Sequence, residues 1–216
     1  MSDVDDIIAV ARAGDAGKVT ALLDGDPSLA NVANEAGETP LIVAIYAGAR
    51  EVVSLLLARG AAANLFESAA MGDTPTILAM LTANPTLVNS YSYDGWTALH
   101  LAAHLGQTAA AQALVERGAD VGARSRNPLD NQPLHAAVAG GDHAELVSLL
   151  LTYGADPNAT QHGGYTPLHE TAQNGFVAST RLLLDSGADV SIRATDGKTA
   201  RDLAEEQGHS EIVALL

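Results

Sequence analysis

The chain has 216 residues and a formal net charge of −15, from 26 acidic and 11 basic side chains. Apolar residues make up 47% but aromatics only 4%, so a sizeable core must be built from Ala, Leu, Val and Ile, which suits closely stacked helices. The absence of cysteine excludes a disulfide framework, a thiolate metal site and a Cys nucleophile, and the lack of a basic stripe disfavours nucleic-acid and anionic-membrane partners.

The N-terminus, "MSDVDDIIAV", is acidic and has no basic n-region. No apolar run approaches the roughly 18–20 residues of a membrane span. We therefore read no signal peptide and no membrane helix, and expect a cytoplasmic protein. A first helix pair turns at Gly14. The second unit starts in "GETPLIVAIYAGAREVVSLLLARG". There Thr39 is a helix N-cap, with Pro40 at the first helical position. Gly48 ends this helix, and a second one carries Leu55, Leu56 and Leu57 before Gly60. The third unit, around Phe66 to Asn89, lacks the polar hairpin that separates other units. It is exposed by a shift of 58: Gly14 falls on Gly72, Pro27 on Pro85, Asn31 on Asn89 and Thr39 on Thr97.

Three further units follow, starting at Thr97, Gln132 and Thr166, and a last short one starts at Thr199. The intervals are 35, 34 and 33 residues. Gly106, Gly141, Gly175 and Gly208 stand where the first helix of each should end in a left-handed residue, and Gly118, Gly154 and Gly187 close the second helices. Small residues such as Ala102, Ala103, Ala136 and Ala137 mark the first helices, and Leu-rich stretches the second. The turn between Gly118 and Gln132, with "ARSRNPLDN", is two residues longer than its counterparts, and the turn after Gly141 has one extra residue.

"TPLH" at Thr166 to His169, "TALH" at Thr97 to His100 and "GHSEIV" at Gly208 to Val213 resemble the ankyrin repeat, and the resemblance covers nearly the whole chain. It implies an all-α solenoid, a single domain over residues 1–216, with about seven helix-pair units and short hairpin turns. The units fall near 1–35, 36–64, 65–92, 93–127, 128–161, 162–194 and 195–216. It also implies that His100, His135 and His169 bond to the preceding threonine hydroxyl and to neighbouring backbone. Stacked repeats bury their faces against each other, and acidic pairs at the ends read as solvating caps.

Nothing in the chain matches a phosphate-binding loop or a nucleophile elbow. His100 and His104 share a helix face, yet Leu101 stands where a zincin needs Glu. His104 is expected on the exposed end of its helix. We expect no catalytic residue, metal or cofactor. A metal protein using His100, His104 or His143 is a lesser alternative, as is a self-assembling array.

The remaining signal is the stretch "NSYSYDGWTALHLAAHLG", residues 89 to 106. It places Tyr91, Tyr93 and Trp96 on a hairpin, and His104 and Leu105 at the far end of the following helix. Tyr46 lies near the end of a first helix, Tyr165 matches Trp96, and Tyr153 ends a second helix. In ankyrin proteins these are binding-face positions, and Tyr and Trp are enriched at protein interfaces. Arg124 and Arg126 break the acidic trend, and read either as compensating charges on the loop or as a grip for a carboxylate or phosphate on a partner. Phe66 and Phe176 read as packing residues. The expectation is a monomeric module that binds a protein of basic or neutral surface through its concave groove and hairpin tips.

Overall fold

The computed structural model describes residues 3–216. They form fourteen α-helices, distributed over two compact units, one ending at Met71 and the other spanning Gly72–Leu216. The only β pairing among the described residues is a single antiparallel bridge between Tyr91 and Thr97. No helix among them is long and apolar enough to cross a membrane.

The first unit holds α1 (Asp3–Arg12), α2 (Ala16–Gly25), α3 (Pro40–Tyr46), α4 (Arg50–Ala58) and α5 (Leu65–Met71). Helices α1, α3 and α5 lie side by side in one row, with α2 and α4 packed behind. Ile7, Leu23, Leu41, Val52 and Leu56 fill the space between the rows. A fully buried side chain of this size contributes about 1.5–3 kcal/mol. Thr39 begins α3 by accepting the Ile42 N–H at 3.0 Å, and Pro40 occupies the first turn as expected. The chain passes from Gly60 to α5 without a hairpin, and Phe66 sits half-buried in the first turn of that helix.

The second unit runs from α6 (Thr74–Ala83) through α7 (Ala98–His104), α8 (Thr108–Glu116), α9 (Pro133–Gly140), α10 (Ala144–Thr152), α11 (Pro167–Asn174), α12 (Val177–Asp185), α13 (Ala200–Gln207) and α14 (Ser210–Leu215). Helices α7, α9, α11 and α13 form one row; α6, α8, α10, α12 and α14 form the other. Ala102, Ala103, Ala136 and Ala137 are fully buried, because small side chains let the first row pack backbone to backbone. The closest approach is at Gly140, where an added Cβ would stand 1.7 Å from the His104 carbonyl oxygen. Gly141 corrects the expectation that it ends α9 in the left-handed region. It is extended in the mirror sense, at φ 156° and ψ −177°. Helices α11 and α13 end at the same register and do take left-handed caps at Gly175 and Gly208, so the departure at Gly141 goes with the extra residue in the turn that follows it.

Asparagine bridges tie successive turns together. Asn31 donates to the Gly60 carbonyl at 2.9 Å and accepts from the Ala62 N–H at 2.7 Å. Asn89 spans Gly118 and Asp120, and Asn158 spans Gly187 and Asp189, in the same way. At the equivalent place between these two the residue is Gly122, which has no side chain to bridge with.

Candidate binding surface

Four helices of the second unit's first row begin with a reciprocal cap, made by Thr97, Gln132, Thr166 and Thr199. In three of them the partner is an imidazole. The Thr97 backbone N–H donates to His100 Nδ1 at 3.3 Å, so Nδ1 carries a lone pair and Nε2 carries the proton. Nε2 then donates to the Asn131 carbonyl at 3.1 Å in the next hairpin. His135 reaches the Tyr165 carbonyl at 3.3 Å and His169 the Lys198 carbonyl at 3.2 Å. Burial lowers the pKa of His100 and His135 to about 4, and lowers that of His169. These three imidazoles are therefore neutral struts between repeats; the backbone bonds hold for all three, whereas the threonine hydroxyl contact holds for His100 and His169 at 2.8 Å and not for His135, whose cap is Gln132.

The first unit solves the same problem differently. Ile42 stands where the later repeats carry histidine, so Thr39 instead donates its hydroxyl to Glu67 of α5. Glu67 also accepts the Asn64 N–H at 2.7 Å, while Asn64 accepts the Glu67 N–H at 3.0 Å. The Glu67 side chain is buried, and both of its oxygens have donors.

The hairpin tips of the second unit form a ladder. Gly95, Leu129 and Gly163 offer carbonyls to the N–H groups of Arg126, His162 and Thr195, each at 2.8–2.9 Å. Tyr91 and Tyr93 lie on the first of these hairpins, with Trp96 at its base. The Trp96 ring packs on His100, with centroids 5.9 Å apart, and meets His104 edge-on at 5.2 Å. His104 is not on an exposed end. It is half-buried because the Trp96 ring covers it and its neighbour α9 closes the other side. Burial lowers its pKa, opposed by a bond to the Ala136 carbonyl. Both Trp96 Nε1 and His104 Nδ1 are enclosed without a hydrogen-bond partner. Leu105, the C-cap of α7, is half-buried.

Tyr165 repeats the Trp96 arrangement, with its ring edge-on to His169 at 5.6 Å. Its hydroxyl donates to Asp196 at 2.9 Å, which raises its pKa. Tyr93 is 39% exposed and Tyr153, the C-cap of α10, 42% exposed. Tyr46, the last residue of α3, is 42% exposed and belongs to the first unit. The two arginines divide. Arg124 forks onto Asp130 at 2.7 and 2.5 Å and onto the Thr160 carbonyl at 3.0 Å, so it is committed inside the unit. Arg126 lies 3.8 Å above the Tyr91 ring centroid.

Sequence reasoning passed over two carboxylates and one apolar residue. Glu67 has been described. Glu170 on α11 stands at the position of Leu101, Ala136 and Leu203, all buried. Its Oε1 accepts from Gln161 Nε2 at 2.6 Å, while Oε2 is enclosed without a partner. Burial pushes its pKa up to about 7. Superposing the repeats in sequence would have flagged it as acidic where its counterparts are apolar. Leu129, at 48% exposure, is the most exposed large apolar side chain among the described residues. Those residues contain no group of three His, Asp or Glu placed to hold a metal.

The architecture is that of a repeat protein, and the comparisons give its class. The family model "Ankyrin repeats (3 copies)" matches residues 7–125, 65–161 and 134–216, and the chain belongs to that family. The B-cell lymphoma 3 protein homolog of Mus musculus is 30% identical over 181 residues, covering 76% of this chain and 39% of that protein. Cyclin-dependent kinase 4 inhibitor B of Rattus norvegicus is 35% identical over 119 residues, covering 55% of this chain and 88% of the inhibitor. E3 ubiquitin-protein ligase XBAT32 of Arabidopsis thaliana is 30% identical over 204 residues, covering 89% of this chain but only 38% of the ligase.

Proposed function

We propose that this chain is a non-catalytic module that holds a partner protein against its first-row helices and hairpin tips. The observation that carries the reading is the exposure of Tyr46 at the end of α3 in the first unit and of Tyr93 on a hairpin tip in the second, with Tyr153 exposed at the end of the second-row helix α10, in a chain with only five tyrosines. Such rings supply contact area at low entropic cost. Tyr91 and Tyr165 are half-exposed, whereas Trp96 chiefly braces the hairpin against α7. Cyclin-dependent kinase 4 inhibitor B, by its name, acts on another protein, which supports the same use of the repeats here. With a net charge of −15 the long-range field favours a partner of basic or neutral surface. The working form is a monomer.

The test replaces Tyr46, Tyr93 and Tyr153 with alanine in the full chain, singly and together. The helical circular-dichroism signal is expected to persist while capture of partner from a cell lysate is lost in the triple variant. Unchanged capture would sink the assignment. Light scattering that shows concentration-dependent growth, abolished by the same substitutions, would replace it with self-assembly.

A further inference from the structure

The turn between α8 and α9 is the point where the second unit departs most from its own period. Fourteen positions separate Gly118 from the helix cap Gln132, against twelve from Gly154 to Thr166 and from Gly187 to Thr199. An insertion of this kind is ordinarily mobile, but this one is clamped. The Ser125 N–H donates to the Asn131 carbonyl at 2.8 Å, and the Asn131 N–H to Ser125 Oγ at 3.0 Å. Asn127 accepts the Leu129 N–H at 3.0 Å and donates to the Asp94 carbonyl at 3.2 Å. On one side Arg126 N–H bonds Gly95, and an added Cβ at Gly95 would stand 2.8 Å from the Arg126 carbonyl carbon. On the other side Leu129 is bonded by His162.

This braced loop presents two side chains of different chemistry. Leu129 stands out into solvent. Arg126 lies over Tyr91, whose hydroxyl is itself anchored on the Arg124 carbonyl at 3.1 Å. Among the described residues, eight of the eleven Lys and Arg side chains have a carboxylate within ion-pair distance. Arg126 does not, in a chain with more than twice as many acidic as basic residues. A stacked guanidinium keeps its charge and a planar set of donors suited to a carboxylate. Arg124, two residues away, shows the match by forking onto Asp130.

We propose that Arg126 and Leu129 form a two-point anchor for a partner segment that carries a carboxylate next to an apolar side chain. The inference rests on the partner-binding reading above and names the chemistry of one contact. The carboxylate completes the unpaired guanidinium over Tyr91, and the apolar group covers Leu129. The negative field of the rest of the chain rejects uniformly acidic segments. The anchor therefore selects a single carboxylate within a neutral or basic stretch.

The test is a nuclear magnetic resonance titration of the full chain with four short acetylated, amidated Gly/Ser peptides. They carry at their centre Asp-Leu, Asn-Leu, Asp-Ser or phosphoserine-Leu. The Asp-Leu peptide is expected to shift the amides of 125–129 and the Arg126 Nε–H with a Kd of about 1 mM or tighter. The Asn-Leu and Asp-Ser peptides are expected to bind at least about threefold more weakly. R126Q and R126K should both lose the preference for Asp over Asn, because an ammonium lacks the planar fork. Both sites are exposed, and the unchanged amide spectrum of each variant reports its fold. Equal binding of Asp-Leu and Asn-Leu, no shift at 125–129, or retention of the preference in R126Q would overturn the anchor. Tighter binding of the phosphoserine peptide would overturn it in favour of a phosphate reader. None of these outcomes touches the tyrosine test, so the two readings fail separately.

Discussion

Glu67 and Glu170 are both enclosed carboxyl side chains on first-row helices, one in each compact unit, and they have opposite surroundings. Glu67 accepts from Thr39 and from Asn64, which leaves neither oxygen without a donor. Glu170 accepts from Gln161 alone, and its second oxygen faces no donor. The difference shows that burial by itself does not decide what a carboxyl does in a fold. The number of donors aimed at it does. In the first unit the acid replaces a strut that Ile42 cannot provide, while in the second the struts are imidazoles and the acid is an apolar position filled by a polar residue.

The largest expected effect comes from the imidazole side of that contrast. His100 and His135 have folded pKa values of about 4 against an unfolded value of 6.5. Their contribution is thus complete above pH 6.5 and is lost as pH falls through 4. The loss is on the order of 3 kcal/mol for each. Urea denaturation at pH 7.5, 5.5 and 4 should show it, and replacing both with glutamine should flatten the profile over that window. A wild-type curve that is already flat would break the contrast.

The next effect is Glu67→Ala, which strands the Thr39 hydroxyl and the Asn64 N–H and leaves a cavity. The expected cost is about 3–4 kcal/mol, read from the urea midpoint. Glu67→Gln, which keeps one acceptor, should cost less than half of that. The smallest effect is a gain. Glu170→Leu should stabilise by about 1–2 kcal/mol, because Leu101 and Leu203 show that the position accepts leucine. The sign with pH is opposite to that of the histidines. A carboxyl raised to about 7 from 4.5 contributes fully below 4.5 and loses that contribution as pH rises through 7. The advantage of leucine should therefore be larger at pH 8 than at pH 4.5, and equal gains at both would remove the contrast with Glu67.

Much of the fold was legible because its signals are local and repeated. A capping threonine, a proline after it, a turn glycine and a Leu-rich second helix recur at nearly fixed spacing, and the structure has a helix pair at each recurrence. The struts made by His100, His135 and His169 followed from the family resemblance. The misreadings share a cause. Gly141 depends on one extra residue that changes how α9 ends. His104 depends on the Trp96 ring folding over it. The role of Glu67 depends on Thr39, 28 residues away. Asn31 and Asn89 were visible as a recurrence, yet the carbonyl each one reaches lies 29 residues further on. At the candidate surface, the aromatic positions could be read from the repeat register. Which arginine is committed internally depends on how the inserted loop closes, and the sequence does not encode that at any regular spacing.

The vacancy at Gly122 has a consequence for how the second unit comes apart. Where each repeat touches only its neighbours, separation starts at the seam with the fewest cross-ties. The turns joined by Asn89 and Asn158 are stitched on either side of this seam, while the seam itself is held by the Arg124 reach to Thr160 and by the His162 N–H on the Leu129 carbonyl. The inserted loop therefore carries the cross-ties that an asparagine carries elsewhere, and a substitution that opens the loop also uncouples the two turns it joins.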